Sequence, residues 1–105
     1  MDLSNVFKLD GQTALITGGG TGLGLGIARC MVAAGAKVIL VGRREEMLRQ
    51  ATEELGKKAI YAVQDITTLD DLPSFVESLQ QTHGEIDVLV NNAGNHQKKT
   101  FLDTE

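Results

Sequence analysis

Cysteine is almost missing from this sequence. Cys30 is the only one, so no intramolecular disulfide staples the chain, and a reducing compartment, the cytoplasm, is the expectation. Basic charge is also scarce: ten Lys and Arg against fourteen Asp and Glu leave a net charge of −4, which argues against a general affinity for nucleic acid or anionic membrane. The opening MDLSNVFKLDG carries charges and lacks the apolar core of a secretory leader. The uncharged stretch Gly11 to Ala28 contains seven glycines and does not read as a membrane span. There is no internal repeat, low-complexity segment or linker, and no metal site is expected. These absences leave one small domain, residues 1–105, with an ordinary 42% apolar content.

Within it, short β-branched runs alternate with helical patterns. Thr13 to Thr17 reads as a buried parallel strand, followed by Leu23, Ile27, Met31 and Ala34 at helical spacing, with Gly35 placed to stop that helix. Cys30 is expected at or near the core beside this stripe. A second strand spans Lys37 to Val41. A second helix spans Arg44 to Leu55, with Met47 or Leu48, Ala51 and Leu55 apolar and Gly56 just past its end. Ala59 to Val63 is a third strand. Thr67 or Thr68 caps a third helix from Leu69 to Thr82, with Pro73 in its first turns and a stripe of Leu72, Phe75 or Val76, and Leu79. Val88 to Val90 is a fourth strand. The fold class is therefore α/β, a Rossmann-type doubly wound parallel sheet: its first half plus one strand. Right-handed crossovers give strand order 3-2-1-4, with two helices on one face and the third on the other. Ligands are expected at the carboxyl ends of strands one and four, where the order reverses.

At that place the side chains nearly vanish. Glycines at 18, 20, 22, 24 and 26 let backbone N–H groups approach an anion, and the helix that follows adds its partly positive N-terminus. The strict G-x-G-x-x-G fingerprint fails, because its third glycine falls on Leu23, Leu25 or Ile27. A Walker A loop fails too, since no Lys stands in the cluster. The pattern T-G-x-x-x-G-x-G fits at Thr17, Gly18, Gly22 and Gly24. On these residues the chain resembles the classical short-chain dehydrogenase/reductase family, whose cofactor-binding turn has this spacing. The resemblance implies that Gly18, Thr21, Gly22, Leu23 and Gly24 lie around a pyrophosphate.

Three further features fall at the same ends. Asn92-Ala93-Gly94 follows the fourth strand and matches the family's N-A-G motif, which supports the central sheet and lies against the nicotinamide-side ribose. Asp65-Ile66 follows the third strand and matches the family's adenine contacts: a carboxylate accepts from an exocyclic amine and a backbone N–H donates to the ring. Gly42-Arg43-Arg44 follows the second strand, where NAD-binding members usually carry an acid for the ribose 2′-hydroxyl. Gly42 repels nothing, and Arg43 is suited to a 2′-phosphate. The family's other basic position, inside the glycine turn, is here Thr21.

The resemblance implies NADP(H) as cofactor, with NAD(H) as the alternative, and an alcohol or ketone as the parent's substrate. It also implies a homo-oligomeric parent. The family's catalytic Ser and Tyr-x-x-x-Lys segment have no counterpart: the sole tyrosine, Tyr61, lies in a strand with no Lys four residues on. The expectation is a cofactor-binding part cut before its catalytic segment and inactive as a dehydrogenase by itself. Two rivals remain. One is a fragment of an S-adenosylmethionine-dependent methyltransferase, with Gly20, Gly22, Gly24 and Asp65 serving that cofactor. The other is a non-catalytic nucleotide-binding module.

Overall fold

The computed structural model describes residues 9–20, 22–65 and 72–92. Strand β1 (Thr13–Thr17) leads into helix α1 (Gly22–Ala33), then β2 (Lys37–Gly42), α2 (Glu45–Leu55), β3 (Ala59–Val63), α3 (Leu72–His83) and β4 (Val88–Asn91). The four strands form one parallel sheet in the order β3-β2-β1-β4, as the alternation of elements predicts. Each parallel pair needs a crossover, and each crossover here is a helix.

The two central strands are buried on both faces, which is why they read as continuous apolar runs rather than alternating ones. Their alternate side chains feed two cores. Ala14, Ile16, Val38 and Leu40 pack with Ala28 of α1 and Leu48 and Ala51 of α2. Leu15, Ile39 and Val41 point the other way and meet Leu79, Phe75 and Val76 of α3. Two helices thus lie on one face and one on the other. The edge strands are less covered, leaving Ile60, Val63 and Leu89 exposed.

Helix α1 departs from the simple apolar stripe. Its fully buried positions are Gly24 and Ala28, while Leu23 is 58% exposed and Cys30 is also exposed. Ile27 and Met31 do pack against the core. Ala34 lies in the turn after the helix, where Gly35 takes a φ of 103°. The reason is close approach at the start of α1, where a Cβ on Gly24 would strike the Gly18 peptide. Helix α2 begins one residue later than the sequence suggests, with Arg44 extended at its N-cap. Of the two candidate core residues near its start it buries Leu48, with Met47 half-buried. Helix α3 ends at His83, one residue beyond the expected end. Its expected start at Leu69 and its caps Thr67 and Thr68 lie outside the described residues.

Candidate functional site

Parallel pairing in register brings the carboxyl ends of all four strands into one row. Thr17 stands opposite Val41 on one side and Asn91 on the other, and Gly42 stands opposite Val63. At the reversal of strand order, β1 and β4 are tied by side chains. Thr17, a fully buried polar residue, donates through Oγ1 to Asn91 Oδ1 at 2.9 Å and accepts from the Asn92 N–H at 2.8 Å. Asn92 Nδ2 then donates to the Gly18 carbonyl at 3.3 Å. An amide and a hydroxyl thereby satisfy backbone groups that the end of the ladder would leave unpaired.

The glycine turn is built by contact from beneath. Gly18 has φ 67° and its N–H donates to the Val41 carbonyl at 2.7 Å, so this amide shapes the turn and is spent on the sheet. A Cβ on Gly19 would stand 2.7 Å from Leu40 Cδ2, and one on Gly24 would run into the Gly18 peptide, 2.9 Å from its carbonyl carbon and 3.0 Å from Asn92 Nδ2. Gly22, first residue of α1, is different: its φ is 54° and nothing lies within 4 Å of where its Cβ would be. The backbone at the start of α1 is therefore bare toward solvent, and its first N–H groups have no partner within the helix. That geometry suits a phosphate bridge, and the exposed Leu23 flanks it. Thr21 lies outside the described residues.

Further along the row, Gly42 ends β2, and a Cβ there would rest in ordinary contact with Leu48, 3.4 Å from its Cδ2. Arg43 and Arg44 follow, both exposed. Among the described residues neither forms an ion pair, whereas Arg29 pairs with Glu54, and Arg49 with Glu46 and Glu53. Glu45 Oε2 accepts from the Tyr61 hydroxyl at 3.0 Å, which raises the phenol's pKa above its ordinary value. Glu46 accepts from Arg49 and, at 3.0 Å, from Gln50 Nε2; these hydrogen bonds lower its carboxyl's pKa, the one from Arg49 most. Asp65 is exposed just beyond β3, two residues past its end. Ile66, Ala93 and Gly94 lie outside the described residues.

The structure thus brings Gly18, Gly22, Leu23, Gly24 and Asn92 to the reversal point, with Arg43 and Asp65 beyond the ends of the next two strands. Sequence reasoning used Thr17 only to set the glycine register and gave Asn91 no role. A buried threonine at the end of a strand opposite an asparagine is the signal that marks them as a structural pin. Tyr61 was read as a strand residue, and its hydroxyl contact with Glu45 was not foreseen. Among the described residues no group of His, Cys, Asp and Glu is arranged to hold a metal, and no helix is long and apolar enough to cross a membrane.

Comparison with known proteins adds to this geometry. Residues 12–105 match the family model described as short chain dehydrogenase. A short-chain dehydrogenase/reductase of Byssochlamys spectabilis is 45% identical over 92 residues, covering 87% of this chain and 30% of the relative. Zerumbone synthase of Zingiber zerumbet is 39% identical over 89 residues, covering 83% and 33%. Among solved structures, L-sorbose reductase from Gluconobacter frateurii, complexed with NADPH and L-sorbose, superposes with a TM-score of 0.75. It is 32% identical, and the match covers 94% of this chain and 39% of that one. An actinorhodin polyketide ketoreductase with NADPH gives 0.69 at 37% identity, covering 79% and 33%. The chain spans about a third of the length of the curated relatives it matches. The match to a dehydrogenase model over nearly the whole sequence sets aside the S-adenosylmethionine methyltransferase reading. With its parallel 3-2-1-4 sheet and the glycine turn and asparagine closing its reversal point, the chain belongs to the short-chain dehydrogenase/reductase family.

Proposed function

We propose that this chain holds NADP(H) along the carboxyl ends of its strands, for an enzyme that transfers hydride between the nicotinamide and an alcohol or ketone. The observation that carries the reading is the bare backbone at Gly22, set at a helix N-terminus beside the Gly18–Asn92 closure. The first amides of α1, from Gly22 to Gly24, donate to the pyrophosphate, while Gly18 sets the path of the turn. Asn92, fixed on Gly18 and Thr17, gives the nicotinamide-side ribose a rigid wall, with Ala93 and Gly94 following it in the motif. Asp65 and the Ile66 amide take the adenine. Arg43, free of any acid among the described residues, takes the 2′-phosphate in two parallel charge-assisted hydrogen bonds. When bound, the cofactor supplies or accepts the hydride. Two of the solved relatives carry NADPH and are reductases by title, which supports the choice of cofactor and of a carbonyl substrate.

The test is a calorimetric titration of the intact protein with NADPH, NADH and S-adenosylmethionine. NADPH is expected to bind most tightly, and Gly22→Asp to abolish the binding by placing a carboxylate where the phosphates sit. Equal affinity for NADPH and NADH would reject the choice of cofactor. Absence of binding to both would reject the site.

A further inference from the structure

The start of α2 reads Arg-Arg-Glu-Glu from Arg43 to Glu46, and as a bare sequence it is self-neutralising. Two acids directly after two bases would occupy the guanidinium groups and blunt any preference for a phosphate. The structure arranges it otherwise. Glu46 is turned along the helix to Arg49 and Gln50, and Glu45 is drawn across to β3 by Tyr61. Arg43 and Arg44 are left without an acidic partner among the described residues; the contact Arg44 makes is Nη1 to Met47 Sδ at 3.7 Å.

We propose that Tyr61 is a positioning residue for cofactor selection: by holding the Glu45 carboxylate on β3 it keeps that acid off Arg43 and Arg44 and leaves their charge to a 2′-phosphate. The proposal rests on the NADP(H) reading above and adds to it how the selecting arginines stay uncompensated. Tyr61 is suited to the task because its place is fixed. It lies opposite Leu40 in the sheet register and packs half-buried against the core that holds α2, which places its hydroxyl beside Glu45 in the first turn of that helix. It is also a donor that stays protonated at neutral pH, since the Glu45 hydrogen bond raises its pKa further. Phe at this position keeps the packing and removes only the O–H. Glu45, no longer held, is then free to turn toward the exposed Arg43 and Arg44 that precede it, where the extended backbone at Arg44 lies outside the helical pattern.

The experiment measures dissociation constants of the intact protein for NADPH and NADH, in low and in 0.5 M salt, for wild type, Tyr61→Phe, Glu45→Gln and the double variant. Because these groups are exposed, the effect is modest: Tyr61→Phe is expected to weaken NADPH binding by about two- to fivefold at low salt, less at high salt, with NADH unchanged. Glu45→Gln is expected to retain or raise the NADPH preference, and Tyr61→Phe added to Glu45→Gln to change nothing further. A general loosening of the fold would weaken both cofactors together and would do so in the Glu45→Gln background as well. That outcome, or an unchanged preference in Tyr61→Phe, overturns the proposal while a wild-type preference for NADPH still upholds the cofactor reading. A wild type that binds NADPH and NADH equally removes the reading itself, and this proposal with it.

Discussion

The turn after β1 and the turn after β2 stand side by side on the same sheet edge, and they are built on opposite plans. The first is made of backbone. Gly18, Gly19, Gly22 and Gly24 are dictated by what a Cβ would strike or by a left-handed φ, and the amide that closes the turn, Asn92, comes from just past the end of β4. The second is made of charge: Gly42 tolerates a Cβ, and Arg43, Arg44, Glu45 and Glu46 project into solvent. Backbone geometry is all-or-none, while exposed charge is graded and screened. In the proposed site the first turn therefore decides whether a dinucleotide binds, and the second decides which one.

The sharpest way to break this contrast is Gly24→Ala. One methyl group there meets the Gly18 peptide, which is backbone and cannot swing aside, and overpacking of this kind costs about 1–3 kcal/mol. Thermal unfolding should shift down by roughly 4–8 °C per kcal/mol, and both cofactors should lose affinity together. A variant as stable as the wild type would show that α1 can move away from the sheet. Next comes Arg43→Ala, which should leave stability unchanged and reduce the NADPH preference by about ten- to a hundredfold, in dissociation constants, as expected for a lost charge-assisted contact. Gly42→Asp should move the preference toward NADH, since a Cβ there makes only ordinary contact with Leu48 and the carboxylate repels a phosphate. If both variants keep the wild-type ratio, selection lies elsewhere.

Smaller again is Gly22→Ala. The site is open, so only the left-handed φ of 54° opposes the substitution, at about 1–2 kcal/mol by chemical denaturation. The smallest effect belongs to the ion pairs. The Glu46 and Glu54 carboxyls lie below their ordinary value, because Arg49 and Arg29 hydrogen-bond the charged forms. Their contribution is complete above the unfolded-state pKa and is lost as pH falls through the lower folded-state value. Full exposure keeps it small. A low-salt melt followed from pH 6 to pH 3 should show a shallow decline that Glu46→Gln with Glu54→Gln flattens, and an undiminished decline would assign it to other carboxyls.

The central strands were legible in the sequence because burial on both faces writes itself as an uninterrupted apolar run, as in Val38–Val41. The order of strands followed from crossover handedness alone. Helix α1 was only half legible. A search for large apolar residues at helical spacing finds Ile27 and Met31, and it wrongly adds Leu23, because a helix this close to a sheet marks its buried face with Gly24 and Ala28. Cys30, two residues past Ala28, falls on the opposite side of the helix and is exposed. At the candidate site, glycine spacing and the asparagine could be read directly. The Tyr61–Glu45 contact could not, since two residues sixteen apart meet only once β3 is laid beside β2 and the start of α2 comes within reach.

The pin between Thr17 and Asn91 joins residues 74 apart, and that separation orders events in time. A ribosome delivers β1 well before its second neighbour in the sheet, which is the last strand described here. β1 pairs with β2 soon after synthesis, while its other edge waits through two helices and a strand, and closing so long a loop is an entropic cost met late. The glycine turn sits at that late seam. In the proposed site a dinucleotide would recognise only chains in which this contact has formed, and by mass action it would draw them away from partly folded states. Cofactor supply during synthesis should accordingly raise the yield of folded protein more than it raises the stability of protein already folded.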